Sequence, residues 1–319
     1  SFIDRIERYD TDINAVVVRT FEDALRNAEL ADAAVASGNL LGPLHGVPMT
    51  IKESYVMANT ASTWGIEAFR ENYSAKDGLA VSRFREAGVI FLGKTNVPTD
   101  LADFQSYNPI YGVTGNPYNT DRTPGGSSGG SAAALAGGFS ALEAGSDIGG
   151  SIRIPAGACG LVGFKAPYGR NPESYPFNLD YYNHQGPLAR SVKDCALMQN
   201  VMSGPHPHDI TTIRPKLIIP KNFDSIKGWK IFYSMDLGYF EVDSDVIKNT
   251  KNALEKFKEL GATVEEIKLD WNKDEFESFT QAYWVHLFGN SYAHLLESHK
   301  DELTNYAIGF ASRARNSTG

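Results

Sequence analysis

Two glycine- and serine-rich clusters, Gly125–Ser131 and Gly145–Ser151, hold the residues best suited to chemistry in this 319-residue chain. Glycine lets backbone N–H groups turn toward a common point, and a serine hydroxyl can attack a carbonyl or relay a proton. Ser151 directly follows Gly149-Gly150, so the backbone can fold tightly beneath it. The N–H groups of Ile148, Gly149, Gly150 and Ser151 then become candidates for an oxyanion hole beside a nucleophilic Ser151. A flexible linker has a similar Gly/Ser composition. It would not run into the alanine-rich Ala132–Ala136 and then D-I-G-G-S-I-R-I-P. Gly125-Gly-Ser127-Ser-Gly129 also matches G-x-S-x-G, the nucleophile elbow of α/β-hydrolases, which would make Ser127 the nucleophile. An elbow follows a strand directly, whereas Asn116–Pro124 reads as loop.

The elements that must position these residues alternate between strand and helix. Ile13–Arg19 is apolar and β-branched and predicts a strand. Thr20-Phe-Glu-Asp23 resembles a capping box, opening a helix with Leu25, Ala28, Ala31 and Val35 on one face and Gly38 at its end. Val47–Ile51 predicts a short buried strand that delivers Lys52 at its end. Val81–Ala87 reads as a helix closed by Gly88, and Val89–Leu92 as the next strand. A helix is expected over Ser127–Gly137, begun inside the first cluster, then a strand at Leu161–Phe164 and a helix at Ser191–Met202. Trp229–Tyr233 predicts a strand. Asp243 or Ser244 caps a helix with Val246, Ile247, Thr250, Ala253, Leu254, Phe257 and Leu260 at helical spacing, ending at Gly261. Thr263–Leu269 follows as a strand, and Trp271–His299 as mostly helical with its aromatics in the core. This alternation indicates an α/β layered fold.

Composition narrows the function. The chain is 42% hydrophobic, enough for one large domain with a substantial core. Its net charge of −8 argues against nucleic acid as a partner, since phosphate backbones call for a basic face. The seven histidines are scattered, and His206-Pro-His208 reads as loop. No His/Cys/Asp/Glu set has ligand spacing, so neither a metal nor an organic cofactor is expected. Only Cys159 and Cys195 occur, which fits a reducing, cytoplasmic compartment and no disulfide framework. No run of 18 or more apolar residues predicts a membrane span.

The 123–155 stretch resembles the amidase signature family of serine hydrolases, whose pattern is a G-G-S-S-G-G block, a run of small residues, then D-x-G-G-S-I-R-x-P. Gly42–Ser54 looks like the family's lysine segment. Gly93–Pro98, Asn108–Pro117 and Gly186–Ser191 follow in the family's order, so the resemblance covers most of residues 13 to 270. It implies an α/β fold with a mixed β-sheet surrounded by helices. It also implies a single domain over residues 1–319, C-terminally incomplete because family members run longer there.

The resemblance assigns the remaining roles. The family uses no histidine as its base. Matched motif to motif, its lysine is Lys52 and its bridging serine is Ser127, 24 residues before Ser151 and preceded in the family by a cis peptide bond. Ser127 would relay a proton between Ser151 and a neutral Lys52. A free lysine titrates near pH 10.4, so Lys52 must be buried to be neutral. The apolar run before it is consistent with burial, and Glu53 would point to the other side of a strand. Ser128 and Ser131 are expected to bond backbone at the helix start, and Asp147 and Arg153 to form a buried pair holding the Ser151 turn. Leu101 falls where fatty acid amide hydrolases place an acyl-pocket residue, and core packing is an equal reading. Cys159 reads as a small buried hydrophobe.

The implied reaction is hydrolysis of a small-molecule amide through an acyl-enzyme on Ser151. An alternative within the same signature is the amidotransferase component that frees ammonia from glutamine for tRNA-dependent synthesis. Ile154 stands where those proteins usually carry a polar residue, which favours the free amidases. A catalytically idle relative is disfavoured because all three catalytic positions are filled. Assembly into a homo-oligomer is left open.

Overall fold

A computed structural model describes residues 1–174 and 177–316. The chain sorts into two compact units, one of residues 1–221 and 297–307, the other of residues 222–296 and 308–319.

Besides a short hairpin of Tyr107–Asn108 with Gly112–Val113, the first unit is built on six strands among the described residues. In chain order they are β1 (Val16–Arg19), β2 (Pro48–Lys52), β3 (Ile90–Thr95), β4 (Glu143–Asp147), β5 (Val162–Gly163) and β6 (His184–Ala189). β3 lies between β1, antiparallel to it, and β2, parallel to it. A parallel bridge from Met49 to Leu142 joins β2 to the start of β4. β6 then runs antiparallel to both β4 and β5. The sheet is therefore mixed, and helices cover it. They are α1 (Phe2–Ile13), α2 (Phe21–Ala36), α3 (Leu79–Glu86), α4 (Gly129–Ala136), α5 (Arg153–Ala158) and α6 (Val192–Met202).

Core packing follows the strand period. Met49 and Ile51 of β2 and Ala144 of β4 join Val81 and Phe84 of α3 and Met198 of α6 in one buried cluster. Ala133 and Ala134 of α4 pack with Ile6, Val16 and Phe139 in another. α4 is buried along its length, and its small residues let it approach the sheet closely. A methyl group at Gly130 would stand 2.3 Å from the Asn96 backbone nitrogen, so only glycine fits that crossing.

Several expectations need correction. Ile13 ends α1 instead of beginning a strand. α1 is an amphipathic helix with a complete capping box, Ser1 to Asp4. The Thr20 capping box does not form, because the Thr20 hydroxyl donates to the Phe91 carbonyl of β3. α2 buries Ala24 and Ala31, while Leu25 and Val35 face solvent. The small residues win the contact because α2 sits close against β3.

The second unit holds a parallel pair, β7 (Lys230–Tyr233) and β8 (Thr263–Glu266), connected by α7 (Ser244–Glu259). Asp243 caps α7 by accepting from the Asp245 N–H. Of the apolar face expected on α7, Leu254 is buried, and Val246, Phe257 and Leu260 are exposed. α8 (Lys273–Tyr283) likewise exposes Phe276 and Phe279, against the core position expected of them.

Candidate active site

β2 delivers Lys52 at its C-terminal end. The residues Met-Thr-Ile before it are buried, and the register places Lys52 opposite Thr95 of β3. Lys52 is fully buried. Its Nζ lies 2.7 Å from Ser127 Oγ and 2.9 Å from Ser146 Oγ. Burial lowers its pKa from 10.5 to about 7, although the Asp147 carboxylate pulls the other way. The sequence motif did not mark Ser146 as a lysine partner. The signal available was its place on a strand beside β2.

Ser127 stands two residues before α4, after a cis peptide bond from Gly126. Close backbone packing fixes this turn, since a Cβ at Gly126 would meet the Gln105 carbonyl oxygen at 2.2 Å. Asn116–Pro124 holds no strand that leads directly into Ser127, as an elbow requires.

Ser151 is almost fully buried, in the turn between β4 and α5. The Ser128 N–H donates to the Ser151 carbonyl at 3.2 Å, tying the two serine clusters together. No hydrogen bond joins the Ser127 and Ser151 hydroxyls among the described residues.

Asp147 organises the Ser151 turn. Its carboxylate is fully buried and accepts from the N–H groups of Gly150 (2.8 Å), Ile152 (3.1 Å) and Arg153 (3.3 Å), and from the Arg153 guanidinium at 2.8 and 3.0 Å. Burial pushes the Asp147 pKa up, but these donors outweigh it and hold the carboxyl below its usual range. Arg153 is not buried as expected: 55% of its side chain is exposed. The Gly150 N–H is committed to Asp147, which removes it from the free oxyanion donors. The N–H groups of Ile148, Gly149 and Ser151 make no internal bond among the described residues.

The neighbours differ from expectation in one respect. Ser128 and Ser131 do not cap α4. Ser128 Oγ reaches the Ser146 backbone of β4, and Ser131 Oγ pairs with Thr95 Oγ1 of β3 at 2.8 Å. Leu101 is half-buried with φ of 57°, in a turn where the Asp100 N–H donates to the Trp64 carbonyl at 2.6 Å. Glu53 turns away from Lys52 and accepts from the Thr63 and Trp64 N–H groups at 2.6 and 3.0 Å. Cys159 is fully buried, and burial pushes its thiol up to about 12. No group of three or more metal-ligating side chains is found among the described residues, and no helix there is long and apolar enough to cross a membrane.

A helix-wrapped mixed sheet, with a buried lysine against one glycine–serine turn and a second such turn beside it, defines an α/β enzyme of the amidase class. The amidase family model matches residues 1–316, and the chain belongs to the amidase signature family. It is 35% identical over 323 residues to an acylamidase of Rhodococcus erythropolis, covering all of this chain and 68% of the relative. It is also 35% identical over 294 residues to a glutamyl-tRNA(Gln) amidotransferase chain of Acinetobacter baumannii, covering 89% of this chain and 58% of that relative. Among solved structures, a bacterial aryl acylamidase superposes with a TM-score of 0.91 at 28% identity, over all of this chain and 68% of its own. A 6-aminohexanoate cyclic dimer hydrolase superposes with a TM-score of 0.82 at 30% identity, again over all of this chain and 68% of its own.

Proposed function

We propose that this protein hydrolyses small-molecule amides through an acyl-enzyme on Ser151. Neutral Lys52 accepts a proton from the Ser127 hydroxyl as Ser127 takes the proton of Ser151. Ser151 Oγ then attacks the amide carbonyl. The N–H groups of Ile148, Gly149 and Ser151 receive the developing oxyanion, and Asp147 keeps their turn in shape through Gly150. Ser127 passes its proton to the leaving nitrogen and regains one from the Lys52 ammonium, the C–N bond breaks, and water repeats the relay through the neutral lysine to release the acid. Hydrogen bonds of this kind often tighten only with substrate in place, which accounts for the unjoined Ser127 and Ser151 hydroxyls.

The observation that carries this reading is the wholly buried Lys52 beside Ser127, with hydroxyls as its hydrogen-bond partners. A hydroxyl can donate to a neutral amine as readily as it accepts from an ammonium, so this environment suits a base. The names of the acylamidase and aryl acylamidase relatives point to acyl and aryl amides as the substrate class.

Reaction with a fluorophosphonate probe followed by peptide mass spectrometry tests the reading. The adduct is expected on Ser151, and Ser151→Ala is expected to lose both adduct and hydrolysis, by about 10⁴-fold or more. An adduct on Ser127 would restore the elbow alternative. Turnover of glutamine in preference to anilides would favour the amidotransferase reading.

A further inference from the structure

One buried carboxyl close to the lysine has no part in the relay. Glu143 opens β4 and is fully buried. Thr50 of β2, two residues before Lys52 and on the same strand face, donates its hydroxyl to Glu143 Oε1. Ser131 of α4, one helical turn beyond Ser127, stands beside the same carboxyl. Ser131 also bonds Thr95 of β3, the residue in register with Lys52. Glu143 Oε2 is buried with no hydrogen-bond partner. No cation pairs with the carboxyl among the described residues, so burial of the charged form is offset only by hydrogen bonding. Burial accordingly pushes its pKa well up, against the opposing pull of Thr50, Ser131 and the Ala144 N–H. Tyr55, whose hydroxyl donates to the Gly145 carbonyl, is pushed up by burial first, then by Glu173 and by Glu143.

We propose that Glu143 is a positioning residue. Its carboxyl ties β4 to Thr50 of β2, beside Ser131 of α4, and so sets where Lys52 at the end of β2 meets Ser127 at the start of α4. The pin works from below the site. Thr50 is locked two residues before the lysine, and Ser131, four residues after the serine, holds α4 to β3 through Thr95.

The inference rests on the roles proposed for Lys52, Ser127 and Ser151. Those roles are tested separately, by mapping the fluorophosphonate adduct on the wild-type protein. The test of the pin compares Glu143→Gln and Glu143→Leu with wild type on one anilide, reading kcat, KM and the pH profile. Glutamine matches the uncharged acid in shape and hydrogen bonding. It is expected to keep kcat within about threefold, with the acidic limb unmoved. Leucine fills the space but releases Thr50. It is expected to lower kcat at least about tenfold with KM within twofold, the signature of a misplaced relay. Wild-type kcat in Glu143→Leu, or an equal loss in Glu143→Gln, overturns the proposal. If Glu143→Leu does not fold, Thr50→Val removes the tie to Glu143 and Ser131→Ala removes the neighbouring bond from α4 to Thr95. Each is expected to lower kcat several-fold at unchanged KM, and wild-type kcat in both would overturn the pin.

Discussion

Lys52 ends β2, Lys94 lies on the neighbouring β3, and neither side chain reaches solvent. Burial lowers both, Lys52 to about 7 and Lys94 to about 8. Their partners differ in kind. Lys52 meets the hydroxyls of Ser127 and Ser146. Lys94 donates to the Ala61 carbonyl and to Ser62 Oγ, and it feels the buried Glu53 carboxylate. A carbonyl only accepts, so Lys94 is held as a donor that fastens the loop over Ala61–Trp64. A hydroxyl exchanges roles, so Lys52 can give or take a proton. Burial alone therefore does not distinguish a base from a structural cation, but the chemistry of the contacts does.

The largest effect that could break this contrast is on rate. Lys52→Ala should remove most of kcat/KM together with the acidic limb of its pH profile, which in wild type rises through about pH 7 as the neutral amine forms. Persistence of that limb in Lys52→Ala would make Lys52 a bystander. Lys94→Met should leave the limb at the same pH.

Stability sharpens the contrast, with opposite signs at the two lysines. Lys52 titrates at about 7 when folded and near 10.5 when unfolded, so the unfolded chain holds more protons between those values. Its presence therefore costs stability on the order of a few kcal/mol below pH 7, and that cost fades as pH rises to about 10.5. Lys52→Met should raise Tm, most at low pH, with the gain shrinking across that window. Lys94→Met escapes a similar but smaller cost. It also strips the Ala61 carbonyl and the Ser62 hydroxyl of their buried donor, and each buried acceptor left unsatisfied costs about 1–3 kcal/mol. Net destabilisation is expected, read as a lower Tm at pH 7. A stabilised Lys94→Met would show that Ala61 and Ser62 need no such donor.

The sequence made the chemistry more legible than the packing. Lys52 was named by resemblance to the family's lysine segment, with the apolar run before it consistent with burial, and the Ser151 turn was readable because consecutive glycines free the backbone to fold tightly. The fate of the Gly150 N–H was not readable. It depends on the Asp147 carboxylate folding back over three residues, which spacing alone does not dictate. Ser146 and Glu143 were missed for a related reason: each acts across the sheet, on a strand distant in sequence from β2. In α2 the periodicity was right, but the buried stripe fell on alanines in place of Leu25 and Val35, because close approach to β3 favours small side chains. The exposed Phe257 and Leu260 of α7 carry the pattern of a core face, and periodicity cannot say what covers it.

The smallest expected effect concerns a buried histidine that could imitate Lys52. His184 is buried on β6, directly opposite Asp147 in the antiparallel register, with its ring 5.8 Å from that of Tyr168. Burial, aided by the Lys165 charge, holds its pKa below 6.5. A histidine base there would also give a rate that rises with pH, so the wild-type profile by itself does not separate it from Lys52. The two differ in what the variants do. If His184 only packs β6 against its neighbours, His184→Asn should lower kcat/KM by less than about tenfold and leave the limb near pH 7, since Lys52 still supplies it. Some loss of Tm is expected because the residue is buried, and it should accompany the small rate loss without moving the limb. If His184→Asn instead erases the limb while Lys52→Ala preserves it, the base is the histidine. The hydroxyl partners of Lys52 would then be a means of burying an amine and nothing more.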